Sequence, residues 1–204
     1  MPATSADPTI LDYLRHGTPV GGSRFRGHGV DDALSDTGWQ QMRETTAAVG
    51  NWQHIVSSPM QRCRAFAEWL GEEHDLPVEV VTDLREVGFG TWEGRQRDEL
   101  KRDRGDEYRA FYADPVNNRP SGAEPLDQFG ARVAAVFDRL VERFGGQHLL
   151  VVCHAGVIRG TLGHVTQAPA VNWYRTEIDN AAITRFAHDH RGPRLVAHNW
   201  RPRL

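Results

Sequence analysis

Apolar runs that end abruptly at a polar residue and a glycine divide this chain. Ile10-Leu11-Asp12-Tyr13-Leu14 stops at Arg15-His16-Gly17, and Leu149-Leu150-Val151-Val152-Cys153 stops at His154-Ala155-Gly156. Nearly continuous apolar runs of this length read as strands buried on both faces of a sheet. His54-Ile55-Val56, ending at Ser57-Ser58-Pro59, and residues 78–81 add two shorter strands. Between them the apolar period changes to that of a helix. Ser35, a credible N-cap, precedes Trp39, Met42, Thr46 and Val49; Pro59 opens a turn before Met60, Cys63, Phe66, Ala67 and Leu70. Leu126, Phe129, Val133, Val136, Phe137, Leu140 and Phe144 predict a long amphipathic helix, and residues 156–165 a crossover helix. Charges crowd around Tyr108, Phe111 and Tyr112 between residues 95 and 114, which predicts a short helical excursion over the sheet. The glycine- and proline-rich stretches 84–94 and 115–125 predict loops, and 174–178, 181–187 and 195–199 predict partly exposed edge strands. Strands alternating with helices imply a three-layer α/β/α sandwich, with a mainly parallel sheet and antiparallel edge strands.

Composition narrows the function classes. The 204 residues carry ordinary apolar and charged fractions and no visible linker. One domain over residues 1–204 is therefore expected, with residues 1–8 as a flexible tail. A formal net charge of −3 gives no basic field for nucleic acid, so an anion must be held by local arginines. No apolar segment predicts a leader or a membrane span, so a cytoplasmic location is expected. Two cysteines, Cys63 and Cys153, supply neither a disulfide framework nor a zinc site and are expected to be reduced. His188-Asp189-His190 reads as a surface turn rather than a metal site. No metal and no cofactor are expected.

The strand ends carry the candidate chemistry. Ligands of open α/β sheets collect outside the carboxyl ends of parallel strands, so His16 and His154 point to one shared polar site. Either histidine alone reads better as a strand end satisfied by a backbone carbonyl. Together with the arginines they favour a site. Gly17, Ala155 and Gly156 are expected to let a ligand approach the backbone closely. Arg15 brings a permanent, forked cation suited to phosphate oxygens, and imidazole can serve as a nucleophile near neutral pH. A phosphate ester is the expected ligand. Arg62, in the first turn after Ser57-Ser58-Pro59, is expected to join it at a helix N-terminus, whereas Arg64 reads as a solvated charge.

Leu14-Arg15-His16-Gly17, Ser57-Ser58-Pro59 with Arg62, Glu86 before Phe89-Gly90-Thr91-Trp92-Glu93-Gly94, and Cys153-His154-Ala155-Gly156 resemble, in order and spacing, the histidine phosphatase (phosphoglycerate mutase-like) superfamily. The resemblance runs over about residues 10 to 190. Arg24-Phe25-Arg26-Gly27 and the stretch from Phe111 to Glu124 look most like its alpha-ribazole phosphatase branch. The resemblance implies that His16 takes up the phosphoryl group, that Arg15, Arg62 and His154 hold its oxygens, and that Glu86 is the proton donor. An ordinary salt bridge to Arg85 is the other role open to Glu86. Thr18 stands where many members carry Glu, and Gly21-Gly22-Ser23 replaces a stretch where Asn commonly binds phosphate. Arg24 or Arg26 is expected to replace that contact. Phe66, in place of a frequent Thr, is expected to affect packing.

The expected partner is a small phosphorylated metabolite, with alpha-ribazole 5′-phosphate of cobalamin biosynthesis as the substrate implied. A broad-specificity sugar-phosphate or nucleotide phosphatase is the nearest alternative. Phe89, Trp92, Phe111 and Tyr112 either face a nucleotide-like base or pack the excursion onto the sheet. Cys153 and Arg159 have the spacing of a cysteine-dependent phosphatase, and a phosphate-binding module without catalysis is a further reading. A homodimer is one option for assembly.

Overall fold

The computed structural model describes residues 7–201. Along the chain it contains β1 (Thr9–Arg15), α1 (Asp36–Ala47), β2 (His54–Ser57), α2 (Gln61–His74), β3 (Val78–Val80), α3 (Arg97–Asp103), α4 (Gly105–Ala113), α5 (Leu126–Arg143), β4 (His148–Cys153), α6 (Ala155–Thr166), β5 (Ile183–Asp189) and β6 (Gly192–Trp200). The sheet order is β3-β2-β4-β1-β5-β6. The first four strands run parallel, and β5 and β6 are antiparallel at one edge. This is the expected mixed α/β sandwich. Most of the tail expected over residues 1–8 lies outside the described residues.

Alternation along the central strands separates the two faces. Leu11, Tyr13, Leu149 and Val151 join the core under α5 and α6, whereas Leu14, Leu150 and Val152 join the core under α1 and α2. The register then sets the site. Arg15 pairs with Cys153, and Ser57 with Val152. His16 and His154 therefore leave adjacent strands at the same level, with Ser58 beside them.

Two local packings fix the neighbouring loops. The Ser35 hydroxyl accepts the Gly38 amide at 3.1 Å and donates to the Thr18 carbonyl at 2.7 Å, which pins α1 against the chain leaving β1. A Cβ on Gly17 would lie 2.2 Å from the Gly38 carbonyl oxygen. Gly17 is thus required by this backbone crossing. The other concerns the strand expected at 174–178, where the chain instead forms tight turns over Ala170–Arg175. The indole of Trp173 fills notches at Gly130 and Gly163, where a Cβ would meet it at 2.7 and 2.1 Å. Packing of one aromatic ring between α5 and α6 overrides the strand-like pattern. Smaller shifts occur at element ends: α2 begins after Met60, one residue beyond Pro59, and β5 begins at Ile183 because Ala181 has a positive φ of 55°. Among the described residues no helix is long and apolar enough to cross a membrane.

Asp12, the one charge in the first apolar run, ties three strands together. Its fully buried carboxylate accepts hydrogen bonds from Arg185 of β5 (2.7 and 2.8 Å), from the Trp52 indole (2.9 Å) and from His148 of β4 (2.8 Å). Burial alone would raise its pKa, but the bonds from Arg185, His148 and Trp52 outweigh that and hold it below the usual value. Such a group stabilises the fold above its unfolded pKa, and that stability is lost as pH falls through the folded value. Asp12→Asn is expected to cost about 3 kcal/mol at neutral pH by leaving Arg185 without its counter-charge. Urea titrations of both proteins check this, and the difference should narrow below about pH 4, where the carboxylate takes up a proton in the unfolded chain and, at lower pH, in the folded protein.

Candidate active site

His16 is 6% exposed and His154 fully buried, with ring centroids 5.2 Å apart. The Nδ1 of His16 lies 2.7 Å from the Gly17 carbonyl oxygen. A carbonyl only accepts, so Nδ1 carries the proton and donates it. The Nε2 lone pair is then free. Burial first, then the charges of Arg15 and Arg62, push the His16 pKa well below its ordinary value, so the ring is neutral. The same causes, burial and then Arg62, act on His154. His154 sits behind His16, its Nε2 hydrogen-bonded to the Ser58 hydroxyl at 2.7 Å, and contributes no surface to the cavity in front.

Two arginines face His16 from different elements. Arg62, in the first turn of α2, is 1% exposed; it donates to the Gly27 carbonyl at 2.9 Å and the Val30 carbonyl at 3.1 Å, with Asp31 at 3.7 Å. Arg15 donates to the Ile178 carbonyl at 2.5 Å, and burial together with Arg159 pushes its pKa down to about 10. The Nε of each is buried without a hydrogen-bond partner. An unpaired buried donor on a cation is costly. Two of them beside a free imidazole nitrogen make a cradle for an oxyanion.

Glu86 completes the group. Its Oε1 accepts the Val87 amide at 2.9 Å, and its Oε2 the Gly156 amide at 3.2 Å, near the N-terminus of α6. A Cβ on Gly156 would lie 2.2 Å from Oε1, so this glycine makes room for the carboxylate. Arg85 is paired with Asp83 at 3.5 Å, which sets aside the Arg85 salt bridge as the role of Glu86.

Arg15, His16, Arg62, Glu86 and Ala155 line one cavity of about 300 Å³. Arg24 and Arg26 also reach it, but their guanidinium groups are held by their own loop. Arg24 donates twice to the Gly21 carbonyl (3.0 and 2.7 Å), and Arg26 donates to Asp32 (2.9 Å) and to the Val20 and Gly22 carbonyls. The expectation that one of them replaces a missing phosphate contact therefore meets a guanidinium already engaged. The aromatic residues divide. Trp92 and Phe111 are fully buried in the core, whereas Phe89 and Tyr112 line the cavity. Phe66 is core, as expected. Sequence reasoning missed Arg97, Tyr174 and Glu177 as lining residues and noticed Arg159 only for its distance from Cys153. Arg97 was hidden in a charged helix; Tyr174 and Glu177 lay in the stretch misread as a strand.

Both thiols are buried. Burial first pushes Cys153 well above its ordinary pKa, which disfavours the thiolate that a cysteine mechanism needs. At the β5–β6 turn, Asp189 is paired with Arg191 (3.0 Å) and Arg194 (2.8 Å).

A sheet whose strand ends present paired histidines, two arginines and a glutamate defines a class, and the chain belongs to the histidine phosphatase superfamily (branch 1), whose model matches residues 12–201. A bifunctional protein of Mycobacterium tuberculosis is 32% identical over 182 residues, which cover 87% of this chain and 50% of that protein. The chain thus spans about half the length of this relative. The adenosylcobalamin/alpha-ribazole phosphatase of Salmonella typhimurium is 27% identical over 128 residues, 63% of each chain. Among solved structures, a mycobacterial glucosyl-3-phosphoglycerate phosphatase in complex with VO3 has a TM-score of 0.84 and 29% identity, covering 93% of this chain and 98% of that one.

The neutral imidazoles give the site a pH signature. Both rings are protonated in the unfolded chain below about pH 6.5 and resist protonation when folded, so they stabilise the fold above that value and cost stability as pH falls below it. A bound dianion reverses the local field and favours their protonation. Sulfate, which stays dianionic across this range, should therefore bind with proton uptake. Its affinity should tighten on acidification from pH 8 to pH 5, by at most about tenfold per pH unit for each proton taken up. Calorimetry in buffers of different ionisation enthalpy measures this, and a binding heat independent of buffer would contradict it.

Proposed function

We propose that this chain hydrolyses small phosphate monoesters through a phosphohistidine at His16. The observation that carries the reading is the bond from His16 Nδ1 to the Gly17 carbonyl, which leaves Nε2 unprotonated beside the unpartnered Nε atoms of Arg15 and Arg62. In the first step Nε2 attacks phosphorus and the bond to the leaving-group oxygen breaks, while Glu86 in its acid form gives that oxygen a proton. In the second, water attacks the phosphohistidine, Glu86 takes its proton, and inorganic phosphate leaves with His16 restored. Arg15 and Arg62 stabilise the charge on the equatorial oxygens, so the chemistry requires no metal ion. His154 orders the wall behind His16 through Ser58.

Two substrates come from the relatives' names. Alpha-ribazole 5′-phosphate is supported by the sequence motifs and by a relative matched over 63% of the chain. A glucosyl-3-phosphoglycerate is supported by a structure matched over 93%. Both fit a phosphatase of small metabolites, and the non-catalytic alternative leaves the nucleophile and the acid without a purpose.

Rapid quenching with a labelled substrate is expected to trap phosphate in an acid-labile, alkali-stable form in the wild type and not in His16→Ala. Glu86→Gln should lose about 10² to 10⁴ in single-turnover rate with alkyl phosphates and less with aryl phosphates, whose phenolates leave without a proton. Parallel dependence on leaving-group pKa in wild type and Glu86→Gln would remove Glu86 from the acid role. Cys153→Ser should still form the phosphoenzyme.

A further inference from the structure

Six arginines line the cavity, Arg15, Arg24, Arg26, Arg62, Arg97 and Arg159, against the carboxylates of Glu86 and Glu177. Three are balanced at the cavity wall. Arg24 and Arg26 share Asp32 (4.0 and 2.9 Å), and Arg62 has Asp31 at 3.7 Å. Among the described residues Arg15, Arg97 and Arg159 make no ion pair. Arg15 belongs to the phosphoryl cradle. Arg97 and Arg159 have no such assignment, and they arrive from different elements, α3 and α6.

Both rest on aromatic rings beside the cavity. The guanidinium of Arg97 lies 5.5 Å from the Phe25 ring centre, and its side chain makes no hydrogen bond among the described residues. The guanidinium of Arg159 lies 5.2 Å from the Tyr174 ring centre and donates through Nε and Nη2 to the Thr176 carbonyl (3.2 and 3.0 Å), which leaves Nη1 uncommitted. Both arginines are close enough to Arg15 to depress its pKa, and both act on Tyr112, so the two charges converge on one region beside the cradle. A permanent cation resting on a ring, with donor edges unspent, recognises planar or tetrahedral anions in a forked geometry. Of the three arginines without a paired carboxylate, Arg15 is spent on the phosphoryl group, which leaves Arg97 and Arg159 for another anion.

We infer that the leaving group of the substrate carries an anionic substituent, a carboxylate or a second phosphate, bound by Arg97 and Arg159; this rests on the phosphatase reading above. Tyr112, whose phenol stays protonated with a pKa raised by burial to about 12, stands beside them as a neutral donor. Glu177 is the opposing charge on this side. It is solvent-exposed, as Arg97 is, so its repulsion is screened, whereas Arg159 is partly buried. A nucleoside leaving group lacks the charge that these arginines read.

Two matched pairs of substrates test this. Glycerol 3-phosphate and 3-phosphoglycerate differ by a hydroxymethyl group against a carboxylate; fructose 6-phosphate and fructose 1,6-bisphosphate differ by a second phosphate. The wild type is expected to favour the anionic member of at least one pair by about tenfold or more in kcat/KM, chiefly through KM, and the favoured pair identifies the anion. R97Q and R159Q should each cut that ratio by about 10- to 100-fold, to a floor near one, and E177Q should raise it. R97Q breaks no bond of the fold, and R159K, which keeps the charge, should restore part of the ratio lost in R159Q. Equal efficiency within both wild-type pairs, or a ratio unmoved by R97Q and R159Q, overturns the anion site and leaves the phosphatase reading standing. Absence of both hydrolysis and phosphoenzyme overturns the two together.

Discussion

Positive charge held inside the protein governs this site. Arg62 is 1% exposed, and Arg15 is buried deeply enough for its pKa to be depressed. A buried cation is tolerated only where hydrogen bonds replace its water. The chain supplies them from its backbone: Gly27 and Val30 turn their carbonyls to Arg62, and Ile178 turns its carbonyl to Arg15. The irregular loop between β1 and α1 and the turns after α6 are shaped by this demand. Gly27 adopts a positive φ of 53°, and a Cβ there would lie 1.9 Å from Glu93 Oε1. The carbonyl that holds Arg62 is thus aimed by a residue that has to be glycine.

The satisfaction is deliberately incomplete from a ligand's point of view. Arg62 spends both terminal nitrogens on the protein and Arg15 one, and each keeps a buried Nε unpaired. Donors fixed before the ligand arrives need no reorganisation when negative charge builds up on a transferring phosphoryl group. The same cations hold His16 neutral, and the Gly17 carbonyl chooses which nitrogen carries the proton. Burial and these cations thus set the charge of the nucleophile, and the Gly17 carbonyl sets its tautomer. Glu86 is placed by the Gly156 amide at the start of α6, next to His154, and by the amide of Val87.

How much of this was legible in the sequence follows from how local each signal is. The strands that carry His16 and His154 announce themselves as apolar runs, and their register, Arg15 opposite Cys153, needed only that both be central and parallel. The long helix after Pro125 was equally plain from its period. Contacts between distant residues were not legible. The insertion of Trp173 between Gly130 and Gly163 replaced an expected strand with tight turns, and it carried Tyr174 and Glu177 into the cavity unseen. A glycine in a motif is similarly ambiguous: the missing side chain of Gly17 serves a backbone crossing at Gly38, whereas that of Gly156 makes room for Glu86. Arg26 is a cation of suitable type and place that spends Nε and Nη2 on Asp32 and on backbone carbonyls of its own loop, a commitment no local pattern announces.

Burial also decides which of the neighbouring nucleophile types can act. Desolvation disfavours the charged form of any group, so it raises the pKa of a thiol and lowers that of an imidazole. Both effects are present within one cluster: Cys63 and Cys153 are pushed up, and His16 and His154 are pushed down. Every one of the four is held neutral by the same surroundings. Neutrality silences a cysteine, which reacts as the thiolate. It activates a histidine, whose lone pair is available only when the ring is uncharged. A buried, cationic strand-end cluster thus selects imidazole over thiol, even where a cysteine and an arginine stand at the spacing of the rival mechanism.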